Sequence, residues 1–202
     1  MILDLHCHTK YSYDCWLEPL DLIRRAKALN LDGVCITEHY SYALSAPVAD
    51  LEQGDGFLIL RGLEISTNMG ELLVYGVKDD SWNIWSGNTY LDIHEVIKRI
   101  HSQGGICVPA HPFRGWNSLD DTIFTINDFD AIETHNGSNS FEKNEKAVRA
   151  ASILRLPSIG GSDCHTIEHI GRAVTEFLNS IKTIEEMIGE IKKGNCRGVY
   201  FQ

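Results

Sequence analysis

The chain lacks the sequence features of a membrane protein and of a protein from an oxidising compartment. No apolar run approaches the roughly 20 residues that cross a bilayer, and the N-terminus has neither the basic stretch nor the apolar segment of a secretion signal. The cysteines show no Cys-x-x-Cys spacing, which favours free thiols over a disulfide framework. They are scattered at Cys7, Cys15, Cys35, Cys107, Cys164 and Cys196. We therefore expect a cytoplasmic protein with no membrane partner.

Basic residues are also scarce. Lysine and arginine number 18 against 28 aspartates and glutamates, and the formal net charge is −10 at pH 7. This is the wrong sign for a protein that grips long nucleic acid by charge. A nucleotide-sized substrate is not excluded, because bound divalent cations can reverse the sign of the charge inside a cleft.

The length and composition indicate one globular domain. The chain has 202 residues, of which 43% are hydrophobic and 23% charged, close to the average of globular proteins. It contains no internal repeat, low-complexity tract or linker-like segment. Because a typical domain has about 150 residues, we expect a single domain over residues 1–202 with its own core. The oligomeric state is not indicated.

Short apolar runs alternate with helical patterns along the chain. The predicted strands are Ile2–His6, Gly33–Thr37, Phe57–Glu64, Glu71–Val77, Ile106–Ala110, Ala131–Thr134, Ser158–Gly161 and Ala173–Phe177. The predicted helices are Pro19–Asn30, Asp92–Gln103, Phe141–Leu154 and Thr183–Lys193. We expect Glu71–Val77 to form a hairpin with the strand before it. The alternation predicts an α/β fold with a parallel sheet and right-handed crossovers, either open or closed into a barrel.

Residues 78–90 interrupt this alternation. They carry Trp82, Trp85 and Tyr90, and two interpretations stay open. The aromatic side chains could cap a site, or they could pack the loop onto the body of the protein.

The nine histidines are informative because of where most of them fall. Nearly every predicted strand delivers an imidazole or a carboxylate at its C-terminal end. These residues are His6, His8, Glu38, His39, Glu64, His111, His135, Asp163 and His165. Parallel α/β sheets and barrels build their sites at that end, because the strand–helix loops gather there. Packing alone gives no reason for such a placement, so we predict a metal site.

The spacing of these residues suits metal binding. Residues two apart in an extended chain share a face, so His6 and His8 point together, as do Asp163 and His165. The cysteine between each pair is expected to pack into the wall as a small hydrophobe. Neutral imidazoles and carboxylates suit Zn²⁺, Mn²⁺ or Fe²⁺.

Seven stretches, taken in order, resemble the PHP family, which is named for polymerase and histidinol phosphatase domains. They are Asp4-Leu5-His6-Cys7-His8-Thr9, Ser12-Tyr13-Asp14, Ile36-Thr37-Glu38-His39, Gly62-Leu63-Glu64-Ile65, Ala110-His111-Pro112, Ile132-Glu133-Thr134-His135-Asn136 and Gly161-Ser162-Asp163-Cys164-His165. The resemblance implies a distorted seven-stranded β/α barrel of PHP type, with its metal site at the C-terminal ends of the strands.

The resemblance also implies which residues hold two to three divalent ions of manganese, zinc or iron. The first position would use His6, His8, Glu64 and Asp163. The second would share Glu64 as a bridge and add His111 and His135. The third would use Asp14, His39 and His165.

The chain departs from the family pattern at two positions, which bear on the subfamily to which it belongs. Cys15 stands where many members have glycine after the aspartate of the Ser-x-Asp stretch. Many relatives also have histidine in the segment after the shared glutamate, where this chain reads Glu71-Leu72-Leu73.

The expected activity is hydrolysis of phosphoester bonds by a metal-activated water. Paired ions lower the pKa of water and neutralise charge on the phosphoryl oxygens, so no serine or cysteine nucleophile is needed. The predicted catalytic residues are Asp163, Glu64 and Arg114. Arg114 lies three residues after His111, where it could clamp a phosphate oxygen.

The sequence is compatible with several substrates and functions. Segment 110–114 (Ala-His-Pro-Phe-Arg) resembles members that act on nucleotides or trim short 5′-phosphorylated oligonucleotides as exonucleases. The alternative is a phosphatase of small phosphorylated molecules such as histidinol phosphate. A non-catalytic metal-binding module and a metal-dependent amide hydrolase are further alternatives. The complete ligand set argues against the first of these two, and the lack of a strand-end lysine argues against the second.

Overall fold

The computed structural model describes residues 1–49, 51, 56–83 and 90–201. The strands found there are β1 (Ile2–Cys7), β2 (Gly33–Ile36), β3 (Leu58–Ser66), β4 (Glu71–Tyr75), β5 (Ile106–Pro109), β6 (Ile132–Asn136), β7 (Ser158–Gly161), β8 (Ala173–Phe177) and β9 (Cys196–Tyr200). The helices are α1 (Pro19–Ala28), α2 (Ala46–Ala49), α3 (Ile93–Ser102), α4 (Phe141–Leu154) and α5 (Ile184–Lys192). Short 3-10 turns lie at Tyr42–Ser45, Asp80–Trp82 and Asp120–Thr125.

Local sequence signals account for where α1, α3 and α5 begin. Proline at the first position of α1 presets the backbone angle and needs no hydrogen-bond acceptor. The side chain of Asp92 caps α3 by accepting a hydrogen bond from the backbone N–H of Glu95 at 3.0 Å. Thr183 caps α5 in the same way through the N–H of Glu186. Each of these helices then buries its apolar face against the sheet.

The main sheet has seven strands in the order β5-β4-β3-β2-β1-β8-β9. Its centre is parallel, because β1 pairs with β2 and β2 with β3 in the same direction. The flanking pairs β3–β4, β4–β5, β1–β8 and β8–β9 are antiparallel. The sheet is therefore mixed, whereas the sequence pattern predicted parallel strands throughout apart from the hairpin.

A second sheet of two parallel strands, β6 and β7, joins the edges of the first. β6 contacts β5 at one edge, and β7 contacts β1, β8 and β9 on the other side. Together the strands curl into a distorted barrel. The predicted α/β fold class and its distorted barrel are confirmed.

The predicted elements match the structure with small shifts at their ends and one omission. The hairpin formed by β3 and β4 is confirmed, with Ser66 paired to Glu71 across the turn. The last strand, β9, was not predicted. Its sequence contains a glycine and an exposed arginine, so it lacks the continuous apolar run that marks a buried strand.

Trp82 resolves part of the ambiguity in the loop 78–90. Its side chain is buried in the hydrophobic cluster that also contains Ile93 and Val96 of α3, so Trp82 packs the described first part of this loop, residues 78–83, onto the body of the protein. Tyr90 is exposed, and Trp85 lies outside the described residues. No helix among the described residues is long and apolar enough to cross a membrane.

We predict that Gly161→Ala lowers the free energy of unfolding by about 1–3 kcal/mol through overpacking. A Cβ at this position would lie 2.3 Å from the Cβ of His6 and 2.6 Å from its backbone nitrogen. The measurement is urea denaturation. Gly189→Ala in α5 is the control, because its Cβ meets no atom within 4 Å and alanine favours a helix. Equal stability of the two variants would contradict this account of the packing between β7 and β1.

Candidate metal centre

Three strands bring a first cluster of ligand-capable side chains together. We call it the central cluster: His6, His8, Glu64 and Asp163. The Nε2 atoms of His6 and His8 lie 3.1 Å apart, and Glu64 Oε2 is 3.3 Å from the first and 3.1 Å from the second. Asp163 Oδ1 lies 3.6 and 3.5 Å from the same two nitrogens. All four side chains are buried. The first predicted ligand set is thus brought together.

A second cluster contains Glu64, Glu71 and His111. His111 Nε2 is 2.8 Å from Glu64 Oε1 and 3.4 Å from Glu71 Oε2. Candidate ligand atoms from these three buried residues all lie within 4.8 Å of one another. Glu71 was not among the predicted ligands. It begins β4, which runs antiparallel to β3, so its N-terminal end lies at the same edge as the C-terminal end of β3.

A third cluster lies at the solvent-facing side and contains Asp14, His39 and His165. Asp14 Oδ2 is 3.3 Å from His39 Nε2 and 3.4 Å from His165 Nε2. The side chains of Asp14 and His165 are about one-third exposed, at 34% and 31%. Their partial exposure leaves this cluster accessible from outside. The third predicted ligand set is also brought together.

Unpaired ring nitrogens are a further observation that fits the binding of cations by these residues. Both ring nitrogens of His39 and the Nδ1 of His111 are buried without a hydrogen-bond partner among the described residues. Leaving such a polar atom unpaired costs about 1–3 kcal/mol. His39 Nδ1 nevertheless lies only 3.4 Å from Glu64 Oε2. Buried ring nitrogens that lack a hydrogen bond but lie close to carboxylates are expected of a site built for divalent ions.

His135 does not join these clusters. Its Nδ1 lies 2.9 Å from the hydroxyl of Thr134, and its ring meets the ring of Tyr200 edge-on at 4.9 Å. The pairing of β6 with β7 is irregular between Glu133 and His135. This irregularity breaks the two-residue alternation, so Glu133 faces the clusters while His135 turns towards β9. The expectation that His135 binds the second ion has no support in these contacts.

Glu133 is a positioning residue that the sequence reasoning missed. Its Oε1 lies 2.8 Å from His6 Nδ1, and its Oε2 accepts the backbone N–H of His111 at 2.6 Å. A carboxylate on the far ring nitrogen fixes the tautomer and orientation of a ligating histidine. The sequence offered only the carboxylate itself, which lies in the stretch Ile132-Glu133-Thr134-His135-Asn136.

Glu38 supports the other end of the centre. It accepts hydrogen bonds from the hydroxyls of Thr9 and Ser12. Ser12 Oγ lies 3.3 Å from His8 Nδ1 and accepts the backbone N–H of His39 at the same distance. Through Ser12, the buried carboxylate of Glu38 therefore helps to orient His8 and His39.

Strained backbone occurs at three residues of the same region. His111, Asp163 and Tyr40 adopt positive φ angles of 30°, 53° and 65°. Non-glycine residues pay about 1–3 kcal/mol for such conformations, which cluster at functional sites. The N–H of Asp163 donates to the carbonyl of His6 at 2.7 Å, and that of Tyr40 donates to the carbonyl of Glu64 at 3.1 Å. These bonds hold the strained residues against β1 and β3.

The buried groups shift one another's pKa. Burial opposes ionisation of Glu64 and Asp163, but the neighbouring imidazoles outweigh it and hold the pKa of each carboxyl well below its usual range. Burial likewise disfavours protonated His8, but hydrogen bonds to Asp163 and Glu64 raise its pKa to about 10. The carboxylates thus stabilise positive charge in the centre, and a cation would replace those protons.

Arg114 extends into the same contact network. Its guanidinium hydrogen-bonds the carboxylate of Asp163 and donates to Asn139 Oδ1 at 3.4 Å. The guanidinium also lies 5.2 Å from the ring centre of Trp116. The structure therefore brings all three predicted catalytic residues, Asp163, Glu64 and Arg114, to one centre.

Comparison with known proteins identifies the family. The PHP domain model matches residues 4–115, and the PHP-associated model matches residues 141–196. The uncharacterized protein MJ1587 of Methanocaldococcus jannaschii is 32% identical over 147 residues, covering 67% of this chain and 82% of that protein. The chain belongs to the PHP family of metal-dependent phosphoesterases.

Two further relatives indicate how varied the similar proteins are. A probable histidinol-phosphatase of Thermotoga maritima is 26% identical, with 90% of this chain and 91% of that protein covered. The lesion-specific endonuclease PfuEndoQ of Pyrococcus furiosus shares the fold with a TM-score of 0.71 at 18% identity. That alignment covers 98% of this chain and 57% of the endonuclease.

We predict that Glu71→Gln lowers the metal content of the purified protein by about one ion per chain. Glutamine keeps an oxygen for the hydrogen bonds from Ser66 and Asn117, which both reach Glu71 Oε1 at 2.7 and 3.3 Å, but it removes the charge that faces His111. The measurement is elemental analysis of protein refilled with Mn²⁺ and desalted.

His135→Ala is the matched comparison for this prediction. We expect it to keep the metal content of the unmodified protein, because its described contacts lie outside the three clusters. Full metal content in Glu71→Gln together with a loss of metal in His135→Ala would indicate that His135, and not Glu71, binds the second ion.

Proposed function

We propose that this protein hydrolyses phosphoester bonds in nucleotides or short 5′-phosphorylated oligonucleotides, with water as the nucleophile. The observation that carries the proposal is the convergence of four imidazoles on the single buried carboxylate of Glu64. The proposed ligands run from His6 to His165, so they span both matched regions. This supports one functional domain over residues 1–202.

The residues that would hold divalent ions are those of the three clusters. Manganese, zinc and iron all suit this set of nitrogen and oxygen donors. Ions bound in such clusters act as Lewis acids towards phosphoryl oxygens and make water nucleophilic near neutral pH. The buried positions of His6, His8 and Glu64 keep the ligands rigid and dry, which strengthens their electrostatic effect.

Arg114 would bind a non-bridging oxygen of the phosphate. Its planar guanidinium presents several N–H donors in a geometry that matches phosphate. In the structure these donors contact Asp163, Asn136 and Asn139. An anionic substrate would compete with these acceptors and would place its phosphorus beside the central cluster.

Two kinds of substrate are supported by different observations. The endonuclease relative and the arginine beside the ligands favour nucleotide phosphoesters. The probable histidinol-phosphatase, similar along nearly the whole chain, favours a small phosphomonoester. We place nucleotides first, and the net charge of −10 argues against long polymers held by charge.

The experiment that tests this proposal incubates Mn²⁺-loaded protein with a 5′-phosphorylated trinucleotide and identifies the products by chromatography. We expect nucleoside monophosphate, the product of cleavage from an end. Asp163→Asn should give no product and should retain less metal, because it loses a charged ligand. Free phosphate with an intact dephosphorylated trinucleotide would instead support the phosphomonoesterase. No product from fully loaded protein would support a non-catalytic metal-binding module.

We predict that Arg114→Lys retains full metal content but lowers kcat/KM about 100-fold, the usual effect of losing one donor that stabilises the transition state. Lysine keeps the charge and loses the planar arrangement of donors. Arg149→Lys, on the exposed face of α4, is the control and should leave kcat/KM unchanged. Unaltered kinetics in Arg114→Lys would exclude Arg114 from phosphate binding.

A further inference from the structure

Two exposed tyrosines lie beside the third cluster. Tyr13 and Tyr40 are 72% and 44% exposed, although large aromatic side chains are usually covered. Their ring centres lie 6.1 Å apart with 24° between the planes. The ring of His39 completes the group, 5.2 Å from Tyr13 and 5.8 Å from Tyr40. We call Tyr13 and Tyr40 the aromatic shelf.

The shelf is held in place by the same contacts that build the metal centre. Tyr40 follows His39 directly, adopts φ +65°, and donates its backbone N–H to Glu64. Its hydroxyl lies 3.3 Å from Ser66 Oγ. Tyr13 precedes Asp14, which contacts His39 and His165. A strained backbone holds the exposed ring of Tyr40 next to the candidate ligand His39. Such strain is typical of functional sites, so we infer that the ring contributes to function and not to core packing.

The aromatic shelf lies close enough to the metal centre to contact a bound substrate. His39 joins the shelf to Glu64 on one side of the centre, while Arg114 contacts Asp163 on another. A phosphate beside the central cluster and Arg114 would leave the remainder of a phosphorylated molecule free to reach the accessible third cluster. The shelf presents two exposed aromatic rings, so a planar group with a π-face fits there.

We propose, on the basis of the proposed phosphoesterase function, that Tyr13 and Tyr40 bind the nucleobase of the substrate by stacking. Base–aromatic stacking is tolerant of base identity, because every base has a π-face. The shelf would thereby select phosphoesters that carry a base over those that do not, without selecting the sequence.

The first test measures binding alone, by isothermal titration of the Mn²⁺-loaded protein with adenosine 5′-monophosphate and with ribose 5-phosphate. We expect the nucleotide to bind about 10- to 100-fold more tightly, in line with the effect of removing one stacking aromatic. Tyr13→Ala should abolish most of that difference, and Tyr13→Phe should restore it. Equal affinities of the unmodified protein for the two ligands would overturn the proposal.

The second test separates the shelf from the reaction. Cleavage of a 5′-phosphorylated dinucleotide is compared with cleavage of its analogue lacking the 5′ base. Tyr13→Ala should raise KM for the first substrate, keep kcat, and leave the second substrate unaffected. Phe124→Ala, another exposed aromatic, should alter neither. An equal loss on both substrates would contradict base stacking.

The outcomes also separate this proposal from the proposed function. Absence of hydrolysis with a retained preference for the nucleotide in titration would overturn the phosphoesterase and support the shelf. Hydrolysis with no preference would do the reverse. Tighter binding of histidinol phosphate than of the nucleotide, lost in Tyr13→Ala, would overturn the nucleobase assignment in favour of an imidazole substrate.

Discussion

The structure depends on one buried carboxylate. Glu64 lies in β3 with nitrogens of His6, His8, His39 and His111 within 3.4 Å of its oxygens. A carboxylate removed from water is costly unless positive charge and polar partners surround it. His6 and His8, whose pKa values the surrounding carboxylates raise in spite of burial, meet that need with protons. Divalent ions would meet it better because each carries two charges. The clusters that meet at Glu64 thus behave as one centre.

The mixed sheet explains how so many ligands reach this carboxylate. Parallel strands bring His6 and Glu64 to one edge, and the antiparallel β4 returns Glu71 to that edge by its first residue. Strained backbone at His111 and Asp163 then turns their side chains inward. Such strain costs stability, and it persists because the surrounding hydrogen bonds over-determine each position.

Much of this centre could be predicted from sequence, because strand ends and two-residue spacing follow directly from backbone geometry. The rule predicts that His6 and His8 point together, and their Nε2 atoms lie 3.1 Å apart. It makes the same prediction for Asp163 and His165, whose Oδ1 and Nδ1 atoms lie 3.6 Å apart. Glu71 was missed because the rule considers only the C-terminal ends of strands, whereas Glu71 begins a strand that returns antiparallel to β3. His135 lies outside the clusters because the pairing of β6 with β7 is irregular next to it. No residue type in β6 predicts that irregularity. The strand β9 was missed because its sequence has no apolar run, and only Gly198 of its five residues is buried.

The most direct test of the central claim is anomalous X-ray diffraction from crystals of the Mn²⁺-loaded protein. The account predicts anomalous peaks on either side of Glu64, one among His6, His8 and Asp163 and another beside His111 and Glu71. A further peak is predicted between Asp14, His39 and His165. Loaded crystals without peaks at Glu64, with the imidazoles still hydrogen-bonded to its carboxylate, would contradict it.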